Sequence, residues 1–274
     1  MNNIQETKNL YLLDRNVIDL IKDLNSGKHI TCNKKILMKN FLSEIDVETS
    51  SISPILSLVE GQKGRSETFL EKYSVTKKET CEINNYFKRA KTDKEYMHAN
   101  ILDFSKTFTE SRESGWDNLE KFLVYSCKLI GGGVEKGKRQ YVKEKIFACS
   151  AYNNIPKTHL AVVLSLASLY GSEAAIKVLK PSKIESVLYN VINDIYVLSR
   201  VNLIRAIALS QNMLGVNIQY ITRDEGLQKV LSCIQVVSVE LSENGVQQNI
   251  KYRKELFPHL TRGEYIMLLE ELCS

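Results

Sequence analysis

Residues 10–13, Leu-Tyr-Leu-Leu, make an apolar run too short for a helix, and within four residues the chain switches to helical spacing at Val17, Ile18, Leu20, Ile21 and Leu24. A buried strand leading straight into an amphipathic helix, with Gly27 as its stop, is the opening of an α/β layer. A second helix is expected over residues 33–45, with Ile36, Leu37, Phe41, Leu42 and Ile45 facing inward. Ser53 as N-cap and Pro54 at the first helical position then start a helix that carries Leu56, Val59 and Glu60. Near the other end, residues 216–222 read as a strand, 224–231 as a short helix, 234–241 as another strand and 262–272 as an amphipathic helix.

Between these parts the periodicity is helical. Candidate helices span 66–90, 94–110, 116–130, 139–151, 157–170 and 172–180, and a long helix over 182–212 is apolar around most of its circumference, which predicts burial. Gly131-Gly132-Gly133 and the basic tract Lys136-Gly137-Lys138-Arg139 interrupt the run. The glycines lack the Gly-Lys-Ser/Thr ending of a phosphate loop, and the basic tract reads more readily as a solvated loop than as a phosphate contact. The expected architecture is α/β, a central parallel sheet flanked by helices with a large all-α insertion. The core takes residues 1–65 and 181–274, and the helical insertion or subdomain takes 66–180.

Composition excludes little. A net charge of +5 permits a polyanionic partner without requiring one. The six cysteines form no CxxC pair and sit near no histidine at zinc spacing, so they are expected to be reduced, buried thiols of a cytoplasmic protein. The first nine residues lack the apolar core of a signal peptide, and no apolar run reaches the roughly 18 residues of a membrane span. No membrane partner is expected.

Ligands of an open parallel sheet bind outside the carboxyl ends of its strands. Asp14 directly follows one strand and Asp224 closely follows another, which places both carboxylates on one rim. Glu60, in a helix starting at Pro54, can project back toward that rim. Asp194 lies inside the long apolar helix, where an ionised carboxylate is costly unless paired or metal-bound, and Asn190 shares its face. Carboxylates gathered at one point suit one or two hard cations, Mg²⁺ or Mn²⁺. Singly, each acid has an ordinary reading: Asp14 or Asn16 as a helix cap, Glu60 as a solvated residue, Asp194 paired with Arg200 or Arg205, Asp224 as an N-cap.

Together the segments resemble the PIN-domain nucleases. Leu12-Leu13-Asp14-Arg15-Asn16-Val17-Ile18 is similar to that family's opening, a strand ending in Asp-x-Asn before an apolar helix. Ser53-Pro54-Ile55 through Glu60-Gly61 resembles its second element, and Tyr220-Ile221-Thr222-Arg223-Asp224 its closing one. The chain departs at the third acid. Val201 fills the usual position, while Tyr189-Asn190 to Asp194 resembles the Tyr-Asn-x-x-x-Asp of some larger PIN-like proteins.

The resemblance implies that Asp14, Glu60, Asp194 and Asp224 are catalytic metal ligands, and that Asn16, Thr222 and Asn190 orient them or the substrate. Lys63 and Arg65 are the residues best placed to touch a phosphate backbone, while Asp19 and Glu225 are near neighbours without a primary role. The implied activity is a divalent-metal-dependent endonuclease hydrolysing phosphodiester bonds, RNA ahead of DNA, of the kind that serves as a toxin or defence effector under a regulatory protein partner. A homo-oligomer is compatible with this reading. The alternative is a non-catalytic PIN-like or helical protein-interaction module. A phosphatase of haloacid-dehalogenase type would need an aspartate where Asn16 stands. The helical middle matches little of the family.

Overall fold

The computed structural model describes residues 8–61, 65, 67–109, 115–211, 213, 215–242 and 245–273, without the side chains of 239–248. Strand β1 (Lys8–Leu13) runs into helix α1 (Arg15–Asn25), followed by α2 (Asn33–Glu44), β2 (Ser50–Ser53) and α3 (Ile55–Glu60). Next come α4 (Phe69–Tyr86), β3 (Lys91–Thr92), α5 (Lys94–Ala99), α6 (Ile101–Thr109), α7 (Trp116–Ile130), α8 (Arg139–Tyr152), α9 (Leu160–Leu169) and α10 (Glu173–Leu179). The chain continues through α11 (Ile184–Ser210), β4 (Val216–Ile221), α12 (Glu225–Ser232), β5 (Ile234–Ser242), β6 (Gly245–Tyr252) and α13 (Arg262–Cys273).

The protein is mixed α/β. One four-stranded sheet has the order β3-β2-β1-β4, and every neighbouring pair in it is parallel. In register, Leu12 lies between Ser53 of β2 and Tyr220 of β4, and Leu13 is opposite Ile221. Alternation puts Tyr11 and Leu13 on one face. There they join Ile52 and Ile221 in a core with Val17, Ile18 and Ile21 of α1, Leu42 of α2, and Ile83 of α4. That apolar stripe of α1 is the one visible in the sequence.

The chain divides into two compact units. One comprises Met1–Ser111, Leu203–Asp224 and Ser238–Gln247; the other comprises Arg112–Asn202, Glu225–Val237 and Gln248–Ser274. This differs from an insertion over 66–180. The segment from α4 to α6 belongs with the sheet, because Ile83 and Phe87 complete the core beneath α1. The helix expected to run to residue 90 ends at Tyr86. Beyond it the Asp46 carboxylate accepts from the backbone N of Lys88, Arg89 and Ala90 at 2.8–3.1 Å, fixing the turn that leads into β3. The strand at 234–242 does not join the parallel sheet; it pairs with β6 in a separate two-stranded sheet. The start of α3 also shifts by one residue: Pro54 is the N-cap, and Ser53 Oγ accepts from Ile55 N at 3.2 Å.

In the second unit α9 is buried at all ten positions, packed by α7, α8 and α10. Within it Ser165 Oγ donates to Ala161 O at 2.8 Å. Trp116 is a packing residue, stacked on Tyr196. All six cysteines are free, but only Cys127 and Cys233 are buried, and Cys32 and Cys273 are exposed, contrary to the expectation of uniformly buried thiols. No helix of the described residues is long and apolar enough to cross a membrane.

Helix α3 ends at Gly61, whose φ of +76° and ψ of −157° lie in a region open only to glycine. A Cβ there would also come within 3.2 Å of both Glu67 Oε2 and Lys72 Nζ, which form a buried ion pair. Gly61→Ala is therefore expected to lower stability by about 1–3 kcal/mol. Urea titration reads this as a lower midpoint at unchanged slope, and an unshifted midpoint would mean that residue 61 is not held in this conformation.

Candidate functional site

The carboxyl ends of the four strands carry a row of polar groups. Ser53 closes β2, Asp14 follows β1, Thr222 and Asp224 follow β4, and Asp93 follows β3. The register explains this placement: Leu13 and Ile221 end level with each other, so the residues after them emerge side by side.

Asp14 is the N-cap residue of α1, yet its side chain makes no capping hydrogen bond. Instead one carboxylate oxygen, Oδ2, accepts from both Thr222 Oγ1 and Asn16 Nδ2. Asn16 Nδ2 also donates to Thr222 Oγ1 at 3.0 Å, and Asn16 Oδ1 accepts from Arg223 N at 2.9 Å. Thr222 Oγ1 accepts in addition from Asp224 N at 3.0 Å. The hydroxyl thus spends its one proton on Asp14 and both its lone pairs on neighbours. Asp14 is 7% exposed and Thr222 fully buried. Burial pushes the Asp14 carboxyl above its ordinary value; hydrogen bonds from Thr222, Tyr220 and Arg15 oppose this, and the nearby charge of Asp224 adds to it. A buried carboxylate facing a second one is relieved by a proton or by a cation.

The other expected residues are placed as follows. Glu60 is the last residue of α3, half-buried, on the helix whose C-terminal carbonyls Arg15 binds. Arg65 is exposed and forms a bidentate pair with Glu71 at 2.6 and 3.0 Å, part of the capping box that starts α4. Lys63 lies outside the described residues. Asn190 and Asp194, both half-buried on α11, belong to the second unit, where Asp194 forms an ion pair with Lys180 at 3.7 Å. Asp19 pairs with Lys22 at 3.3 Å, and Glu225 with Lys177 at 3.2 Å. Among the described residues, no group of three or more His, Cys, Asp or Glu side chains is gathered closely enough to hold a metal ion.

Sequence reasoning missed two features beside the rim. Arg15, next to Asp14, turns away from it: Nη1 donates to Glu79, and Nη2 donates to Ser57 O at 2.9 Å and Gly61 O at 3.2 Å. Lys22 reaches the same Glu79 oxygen at 2.6 Å. Below α3, Lys72 Nζ donates to Leu58 O and pairs with Glu67 at 2.8 Å. These cations brace the helix end that carries Glu60. The second feature is Asp93, whose carboxylate accepts from Ser53 Oγ while its other oxygen is buried with no hydrogen-bond partner among the described residues.

Burial is the main cause that raises the Asp93 carboxyl from 3.8 to about 6, against the Ser53 hydrogen bond. A raised carboxyl favours the folded state fully below pH 3.8, and that contribution is lost as pH rises through about 6. Asp93→Asn should therefore gain stability on the wild type between pH 4 and pH 7, by up to about 3 kcal/mol. Chemical denaturation of both proteins at the two pH values checks this, and a pH-independent difference between them would remove Asp93 as its source.

No family model, no curated protein and no solved structure matches this chain.

Proposed function

We propose that the rim of the parallel sheet is the centre of a divalent-cation-dependent nuclease on a PIN-like fold, an endonuclease acting on RNA ahead of DNA. One observation carries the reading. A buried Asp14 carboxylate is oriented by Thr222 and Asn16 and faces the charge of Asp224, at the ends of two adjacent parallel strands. That is where an open α/β sheet binds its ligand.

The donor set fits a hard cation in part. Asp14 and Asp224 offer carboxylate oxygens, while the Asn16 carbonyl is committed to Arg223 N. Two carboxylates suffice for Mg²⁺ or Mn²⁺ of the kind that keeps several waters and takes its other oxygens from a substrate phosphate. When bound, such an ion would supply an activated water and charge neutralisation at the phosphate. Asn16 and Thr222 would hold the Asp14 carboxylate in one orientation. Glu60 and Asp194 belong to the reading only by the resemblance.

A second reading rests on the same hydrogen bonds. Asp14 ties β1, the start of α1 and the end of β4 together, a structural staple in a protein-interaction module. The test is incubation of purified protein with labelled single-stranded RNA and DNA in Mn²⁺ or in EDTA, with Mn²⁺ binding followed by calorimetry. Cleavage that needs the metal, faster on RNA, is the expected result. Absence of both cleavage and Mn²⁺ binding would favour the staple.

A further inference from the structure

The second unit holds a cavity that the rim reading does not use. Its volume is about 620 Å³, and it lies between the start of α8, the turn after α9 and helix α13. That size suits a small organic ligand rather than a lone ion. Lys136, Arg139 and His259 all line the cavity. Arg139 Nη2 lies 3.0 Å from His259 Nδ1, and because a guanidinium cannot accept, the imidazole nitrogen is the acceptor. Arg139 Nε is buried with no hydrogen-bond partner among the described residues, and the carboxylate charge felt by Arg139 and Lys136 there is the Coulombic one of Glu264, itself bonded to Thr261. The imidazole is seated on Gly171, where a Cβ would come within 2.1 Å of the ring, so the ring is held in place.

The acids lining the same cavity are committed or stand further along α13. Glu271 pairs with Lys143. Glu264 accepts from Thr261 N at 2.7 Å in the capping arrangement of α13; those hydrogen bonds hold its carboxyl below the ordinary value first, and the charges of Lys136 and Arg139 add to this. Glu270 stands at the far end of α13. Helix α8 starts at Arg139 with no side-chain cap and no acid in its first turn, so the positive end of its dipole adds to the same field. Leu260 and Leu268, both buried, provide an apolar wall.

We propose that this cavity binds a small phosphate-bearing ligand of mononucleotide size, with the phosphate on Lys136, Arg139 and the start of α8 and the less polar body against Leu260 and Leu268. An anion alone would leave the apolar wall and most of the volume unused. An unphosphorylated ligand would leave Arg139 unpaired. The site is independent of the rim reading.

The test is equilibrium binding of a fluorescent nucleoside monophosphate to the full chain in EDTA, with inorganic phosphate and the unphosphorylated nucleoside as competitors. Saturable binding is expected, displaced weakly by phosphate and not by the nucleoside. Arg139→Gln and Lys136→Glu should each weaken it by at least about tenfold. Lys136 is exposed, so its charge reversal tests the site without threatening the fold. Binding should persist unchanged in Asp14→Asn, because in EDTA the carboxylates of the sheet rim have no cation to hold a phosphate and the site beside α8 needs none. The proposal is overturned if the folded wild type shows no saturable binding, if Lys136→Glu binds as the wild type does, or if Asp14→Asn abolishes binding.

Discussion

Glu79→Ala is expected to cost about 3–5 kcal/mol, the largest stability loss of any single substitution argued for this chain. The Glu79 side chain is 2% exposed, and one of its oxygens receives both Arg15 Nη1 and Lys22 Nζ. Truncation leaves two cations facing each other in a poorly solvated place, and that repulsion, rather than a lost attraction, sets the magnitude. Arg15 keeps its bonds to Ser57 O and Gly61 O, but without Glu79 its charge is uncompensated. Glu79→Gln retains an acceptor and the shape, and should cost less. Because the network is largely buried, added salt should recover little of the loss. Urea denaturation of the three proteins at low and high salt measures this. A loss for Glu79→Ala below about 1 kcal/mol, the range of a surface pair, would mean that the network is solvated.

This network was not legible in the sequence, and the reason is physical. Arg15, Lys22, Lys72 and Glu79 sit at helical positions, and Glu67 just before α4, where charged residues normally face water. Only the packing of α4 against α1 and α3 turns them inward. What could be read was local. The switch from a short continuous apolar run to a 3.6-residue period at Asp14 marks the β1–α1 junction, and the even apolar run of residues 160–170 marks a helix with no exposed face. Asp14 and Asp224 were legible because a parallel strand and its outgoing chain fix which rim a residue occupies.

The division into units was not legible, since it depends on contacts between segments far apart in sequence. Strand β3 has only two residues and shows no period of its own, so nothing in the sequence places Asp93 beside Ser53 of β2. The β5–β6 pair did have a signal in Asn244-Gly245, a sequence that favours a two-residue connection between strands.

Asp14→Asn should abolish most cleavage, by about 10²–10³-fold in kcat, while leaving stability within about 1 kcal/mol of the wild type. The geometry explains the separation. Two of the hydrogen bonds to the carboxylate, from Thr222 Oγ1 and Asn16 Nδ2, arrive at the single oxygen Oδ2. An asparagine oxygen placed there can accept both, and its amide group takes the place of Oδ1. The charge is removed from a site where burial and the charge of Asp224 already oppose it.

Thr222→Val does the reverse. It keeps the charge but takes away the hydroxyl that donates to Asp14 and accepts from Asn16 and from Asp224 N. About 1–3 kcal/mol of stability should go with it, because buried polar groups lose their partner. The two variants therefore separate a catalytic carboxylate from a structural staple. Asp14→Asn folded, inactive and unable to bind Mn²⁺ would place the chemistry on the Asp14 charge. Asp14→Asn folded and fully active, with Thr222→Val destabilised, would leave the rim as a joint between strands and move any cleavage to other residues.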